Sequence, residues 1–113
     1  MSEQLLYAMH ASLCQTLGNP KRLEIIHHLR SGEKSVSALA EAMAIGQSNL
    51  SQHLAVMRQK GIVMPRRAGS SVYYRLSNAK IIRACDLMRQ VLLEQLQAGA
   101  ELTESAGSQR EQK

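Results

Sequence analysis

Residues 45–76 read IGQSNLSQHLAVMRQKGIVMPRRAGSSVYYRL. Leu50, Leu54 and Met57, spaced four and three apart, give this stretch a helix from Gln47 to about Gln59 with one apolar side. Lys60-Gly61 ends it, since Gly61 suits the left-handed conformation that closes many helices. Ile62–Arg66 and Val72–Leu76 read as strands, and Arg67-Ala68-Gly69-Ser70-Ser71 turns between them as a β-hairpin wing. The outer side of the helix carries Gln47, Ser48, Asn49, Ser51, Gln52 and His53, where a surface helix ordinarily shows Glu and Lys. From Ala42 to Cys85 there are seven basic residues (Arg58, Lys60, Arg66, Arg67, Arg75, Lys80 and Arg83) and no acidic one. Uncharged amides and hydroxyls beside a cationic hairpin match what base edges and phosphates of duplex DNA require.

Working outward, Ser35 caps a short helix through about Met43 that turns Val36, Leu39, Ala40 and Met43 inward. Ala44-Ile45-Gly46 is a tight joint, so this helix and the next form a helix-turn-helix. Further upstream, Asn19 followed by Pro20 is a cap and first-turn signal. The helix it opens ends near Arg30 and buries Leu23, Ile26 and Leu29. Ser2 caps a first helix to about Leu17, striped by Leu6, Met9, Leu13 and Leu17. Downstream, Ser77 or Asn78 opens a last helix striped by Ile81, Cys85, Met88, Leu92 and Leu96. After Gly99 the chain becomes rich in Glu, Ser, Gln and Gly without a period. The organisation expected is one winged-helix domain over residues 1–97 and a disordered tail over 98–113. The fold class is mainly α with a small β-hairpin, five helices plus a wing.

The bulk numbers agree with one small domain of 113 residues. No Trp or Phe is present, and Tyr7, Tyr73 and Tyr74 are the aromatic residues. So thin an aromatic supply suits packed helices, and a chain that completes its core by dimerising. The net charge of +5 comes from 14 basic and 9 acidic residues, and its segregation into one stretch argues for a nucleic-acid partner rather than a merely solvated surface. No run reaches the roughly 20 apolar residues of a membrane span and no export signal opens the chain, so a cytoplasmic protein without a membrane partner is expected.

The segments LGNPKRLEII, SVSALAEAM followed by IGQSNLSQHLAVMRQKGIV, and RRAGSSVYYRL together resemble the ArsR/SmtB family of bacterial winged-helix repressors. The resemblance covers roughly Leu13 to Leu93, and the combined run is far more specific than any one motif in it. It implies a homodimer held by the first and last helices, with two recognition helices in successive major grooves of an inverted repeat. It also implies derepression, in which an inducer binds and the dimer leaves its operator. Gln47, Ser48, Ser51, Gln52 and His53 fall at the family's DNA-contacting positions, and Arg67 to Ser70 form the wing tip. Read from the residues and the resemblance together, the DNA-binding set is Gln47, Ser48, Asn49, Ser51, Gln52, His53, Arg66, Arg67, Gly69 and Ser70. Gly46 departs from the family, whose members usually have Ser or Thr at this cap; the helix start is expected to be looser by at most about 1 kcal/mol.

The inducer is harder to read. The third helix has none of the cysteines of the arsenic- or lead-type site. The last helix opens NAKIIRACD, without the Asp-x-His start of the zinc-type site. The cysteine pair of the sulfide- and persulfide-responsive relatives aligns with His27 and Leu93. Cys14 and Cys85 remain, one on each dimerisation helix, and His10 shares a helix face with Cys14. Each cysteine taken singly reads as a small buried hydrophobe. Taken together they favour thiol-based redox or reactive-sulfur sensing. The alternative is a thiophilic metal or metalloid, zinc or arsenite, held by His10, Cys14 and Cys85. No cofactor is otherwise implied.

Two other classes compete. An enzyme would need a nucleophile elbow, a phosphate loop or paired carboxylates, and none is present, so no catalytic residue is expected. A protein-interaction module that uses the wing without DNA is the remaining alternative.

Overall fold

The computed structural model describes residues 1–105, and side-chain surroundings up to residue 100. In order, the elements are α1 (Glu3–Leu17), α2 (Pro20–His28), β1 (Lys34–Ser35), α3 (Val36–Met43), α4 (Gln47–Gln59), β2 (Val63–Ala68), β3 (Ser71–Leu76) and α5 (Lys80–Ser105). The chain divides into two units, residues 1–82 and the residues from Arg83 onward.

Local chemistry sets the helix starts. Ser2 accepts from the Leu5 N–H, and Ser35 from that of Ala38. Asn19 Oδ1 accepts from both Lys21 and Arg22, with Pro20 in the first turn where no N–H is needed. Asn78 Oδ1 accepts from the Lys80 N–H as α5 opens. Gly46 gives α4 no side-chain cap, as its missing hydroxyl requires. Gly61 follows α4 with φ +76, the left-handed value expected of it. In the joint between α3 and α4 the left-handed residue is Ala44, at φ 55, rather than Gly46. Its strain, of order 1–2 kcal/mol, is offset by two carbonyls of α3, Ala40 and Glu41, that accept from the turn.

The core of the first unit gathers Ile25, Ile26, Leu29, Leu39, Ala40, Met43, Leu50, Leu54, Met57, Ile62 and Val63. The inward residues expected of α3 and α4 are there, apart from Val36, which is half-buried. α2 differs: Ile25 is fully buried while Leu23 is 45% exposed. The helix is rotated so that adjacent Ile25 and Ile26 both reach the core, and it ends at His28, two residues early. α1 contributes little, since Thr16 is its one buried residue. Its expected stripe faces out, with Leu6 at 50%, Met9 at 53% and Leu13 at 38% exposure.

Three strands form one antiparallel sheet in the order β1-β3-β2. β1 is an element the sequence reading omitted: Lys34 and Ser35 pair with Tyr74 and Tyr73. The hairpin is also longer and its turn tighter than expected. The ladder extends to Arg66 opposite Tyr73, Arg67 opposite Val72 and Ala68 opposite Ser71. That leaves Gly69 and Ser70 as the two-residue tip, with Gly69 at φ +62.

The last helix runs past the expected boundary at residue 97 and ends at Ser105. Ala98, Ala100, Glu101 and Leu102 are strong helix formers, and Gly99 costs only about 1 kcal/mol relative to alanine. Of the expected disordered tail, residues 106–113 lie outside the described residues. Among the described residues no helix is long and apolar enough to cross a membrane.

Candidate nucleic-acid interface

α4 sits on the core through Leu50, Leu54 and Met57, and that contact fixes which of its residues face out. Gln47, Ser48, Asn49, Ser51 and Gln52 are all exposed, and His53 is half-buried. Beside this face a hollow of about 260 Å³ is lined by Ser35, Val36, Ser37, Gln47, Ser51, Ser70, Ser71 and Val72. It brings the starts of α3 and α4 together with the wing tip. Six of its eight lining side chains carry a hydroxyl or an amide, a surface suited to phosphate oxygens. Gln47 Nε2 donates to Ser37 Oγ across 3.3 Å. Ser35, Ser37 and Ser71 were not part of the DNA-binding set read from sequence, because the fold alone brings them beside the start of α4.

The basic residues of the wing divide by role. Arg66 donates through Nε and Nη2 to the two carboxylate oxygens of Glu33, at 2.9 and 2.7 Å. Its guanidinium also lies 4.9 Å from the centre of the Tyr73 ring. The Arg66 hydrogen bond is the main cause that holds the Glu33 carboxyl below its ordinary range. Desolvation opposes it, less strongly than the hydrogen bond, and the nearby charges of Arg66 and then Arg75 add to the lowering. Arg66, read from sequence as a DNA contact, is paired with Glu33 midway along the hairpin, with 55% of its side chain still exposed. Arg67 is exposed one residue nearer the tip. With Arg58, Pro65, Val72 and Tyr74 it lines a second, more basic hollow of about 320 Å³. Tyr73 and Tyr74 are both half-buried, and β1 pairs along the edge beside them.

His53 is held in a way the sequence did not reveal. Arg22 of α2 donates through Nε to His53 Nδ1 at 3.2 Å, and through Nη1 to the backbone carbonyl of Thr16 at 3.2 Å. Partial burial, followed by the charges of Arg22 and Lys21, lowers the His53 pKa below its ordinary 6.5. The folded chain thus favours neutral His53. Stability from this group is full above about pH 6.5 and declines as the pH falls, because the unfolded chain takes up the proton first. At the far end of α4, Lys60 Nζ donates to Ser12 Oγ at 2.7 Å. Ser12 of α1 is therefore tied directly to the C-terminal end of α4, and Thr16 to its middle by way of Arg22. The one signal available in sequence was Lys21 and Arg22 in the first turn of a helix, where cations are disfavoured unless another element uses them.

The sensing candidates lie on the first and last helices. His10 and Cys14 are exposed on α1, and Cys85 is half-buried on α5. Cys14 lies inside the segment tied to α4. Among the described residues no three His, Cys, Asp or Glu side chains group as ligands for a metal ion.

Comparison with known proteins adds to this geometry. The family model for bacterial regulatory proteins of the arsR family matches residues 19–64. The biofilm growth-associated repressor of Xylella fastidiosa is 39% identical over 85 residues, 75% of each chain. The crystal structure of Rv0081 from Mycobacterium tuberculosis superposes with a TM-score of 0.77 at 32% identity, covering 84% of this chain and 96% of that one. The homodimeric winged helix-turn-helix DNA-binding domain Mb0332 of Mycobacterium bovis gives a TM-score of 0.76 at 30% identity, covering 87% and 93%.

Proposed function

The chain belongs to the ArsR family of bacterial regulatory proteins and is a winged helix-turn-helix transcriptional regulator; from that premise we propose that it is a repressor that binds an inverted-repeat operator as a homodimer and leaves it when thiol chemistry alters Cys14 and Cys85. The observation that carries the DNA reading is the outer face of α4. Five exposed, uncharged hydrogen-bonding side chains and a half-buried His53 stand next to a wing whose exposed Arg67 is free of Glu33. A helix built only for solvent would gain from charges there; amides and hydroxyls instead match base edges.

A duplex selected from a random-sequence pool by the purified protein tests this reading. Binding is expected in the nanomolar range and to weaken steeply with salt, with a slope near the number of phosphates neutralised. A pool that yields no preferred sequence overturns it. Two single substitutions then separate the parts. Gln52→Ala is expected to cost about tenfold on the selected duplex and to change the base preference. Arg67→Ala is expected to weaken all sequences alike and to reduce the salt slope by about 1. Equal losses on selected and random duplexes for Gln52→Ala would show that Gln52 only positions the helix.

Release is tested on the same duplex. Cys14 supports the thiol reading because it is exposed and lies between Ser12, which bonds Lys60 at the end of α4, and Thr16, which bonds Arg22, the tether of His53. Oxidation of the two thiols to a disulfide gives two electrons and two protons to the oxidant and changes the geometry of the helices that carry them. An added disulfide or polysulfide oxidant is expected to release wild type, while a Cys14→Ser, Cys85→Ser double variant stays bound. Release of the double variant under the same oxidant overturns thiol sensing. Stoichiometric binding of zinc or arsenite to the fully reduced chain, without thiol oxidation, would assign sensing to a metal or metalloid instead.

A further inference from the structure

We propose that Arg22 is a positioning residue for DNA reading: it fixes His53 as the Nε2–H tautomer, so that α4 presents His53 to the duplex as a hydrogen-bond donor. The inference rests on the reading of α4 as the recognition helix. Arg22 itself is on α2 and lies outside the DNA-contacting set.

The chemistry follows from what each group can do. A guanidinium has five N–H donors and no acceptor, and it stays charged at any ordinary pH. A ring nitrogen 3.2 Å from Arg22 Nε must therefore supply the lone pair, and that nitrogen is His53 Nδ1. A neutral imidazole has one acceptor and one donor, so the proton is on Nε2. The guanidinium is itself anchored. Its Nη1 donates to the Thr16 carbonyl in the last turn of α1, and its backbone N–H is held by Asn19 Oδ1 at 3.2 Å. Three helices thus converge on one side chain, which in turn orients one ring.

Partial burial, and after it the charged surroundings, keep the ring neutral. The elements packed against α4 bring Lys21, Arg22, Glu24, His27 and His28 from α2, Glu41 from α3, and Arg66 and Arg67 from β2. Of these, Arg22 and Lys21 act on His53, and both are cationic. Proton uptake would place an N–H on Nδ1 facing the Arg22 N–H, so the tether and the doubly protonated ring exclude each other. A histidine without this tether would exchange tautomers and show the duplex a donor or an acceptor in turn. With it, only acceptors are matched: N7 of guanine or adenine, guanine O6, thymine O4 or a phosphate oxygen.

The experiment reads the ring first and the DNA second. Long-range proton–nitrogen NMR of the imidazoles in the full-length free protein is expected to show His53 as a single Nε2–H tautomer at pH 7. An Nδ1–H tautomer or an even mixture overturns the proposal, and this measurement needs no variant. Arg22→Met is expected to mix the tautomers, to raise the His53 titration toward its ordinary range, and to weaken binding to the duplex selected by wild type about tenfold. His53→Gln supplies an amide donor near the position of Nε2 that needs no tautomer set for it. In the His53→Gln background, Arg22→Met is therefore expected to cost less than about twofold. An equal cost in both backgrounds would show that Arg22 only supports the fold. If wild type selects no duplex at all, it is the recognition-helix reading that fails, and the tautomer result still stands or falls alone.

Discussion

Leu54→Ala is expected to remove about 2–5 kcal/mol of folding stability, the largest loss foreseen for any single side chain of the first unit. Leu54 is 1% exposed and lies between Leu50 and Met57, both at 0%. These three are the whole inward stripe of α4, so the cavity falls under the helix that carries the outward polar face. A domain of this size holds only about 5–15 kcal/mol in total, so the loss is a large share of what keeps it folded. Urea denaturation followed by circular dichroism is the measurement, with the midpoint falling and the slope m unchanged. DNA affinity at 25 °C should fall less than stability, because α4 remains helical in the molecules that stay folded. A loss below about 1 kcal/mol would mean that neighbouring side chains collapse into the space, and the core would then be less tightly packed around α4 than its burial indicates.

What could be read from the sequence is what is decided within a few residues. Ser2, Asn19 with Pro20, Ser35 and Gly61 each act on groups at most three or four positions away, and each does what its chemistry dictates. The polar face of α4 was legible for the same reason, since a periodic core stripe fixes the opposite face. β1 was not legible, because two residues carry no period. Lys34 and Ser35 become a strand only because β3 offers them an edge. The rotation of α2 that buries Ile25 in place of Leu23 depends on which neighbours it meets, and both residues are equally apolar in the sequence.

The candidate site shows the same division. Arg66 looked like an equal partner of Arg67 until the fold brought Glu33 to it across 33 positions. Arg22 and His53 are 31 positions apart, and Lys60 and Ser12 are 48 apart. No spacing rule reaches that far, so the residues that contact DNA could be proposed from sequence while those that hold them in place could not. This matters for mechanism. In the proposed function, sequence choice belongs to side chains on one helix, while groups that hold that helix come from α1 and α2.

Paired glutamates on the exposed face of α1, Leu6→Glu with Met9→Glu, are expected to give a monomer and to weaken operator binding by at least about 100-fold. In a single chain α1 leaves Leu5, Leu6, Met9 and Leu13 at 38–53% exposure. The last helix, taken by itself, leaves Leu87, Met88, Val91, Leu92, Leu93 and Leu96 at 46–69%. Apolar faces of this extent on a small protein mark an interface. Burying one such side chain is worth about 1.5–3 kcal/mol, and a two-fold symmetric interface counts every substitution twice. Four carboxylates would then have to be buried without partners, which outweighs any remaining contact. The DNA effect follows from geometry. Once one head of a dimer is bound, its partner meets the second half-site at millimolar effective concentration, and a monomer loses that gain entirely. Sedimentation velocity reads the first effect, and fluorescence anisotropy on duplexes with one or two half-sites reads the second. The variant should bind a single half-site about as well as one head of wild type does, which separates lost pairing from lost folding. A variant that stays dimeric would assign the α1 face to some other partner, and the two-head account of operator binding would then have to rest on the last helix alone.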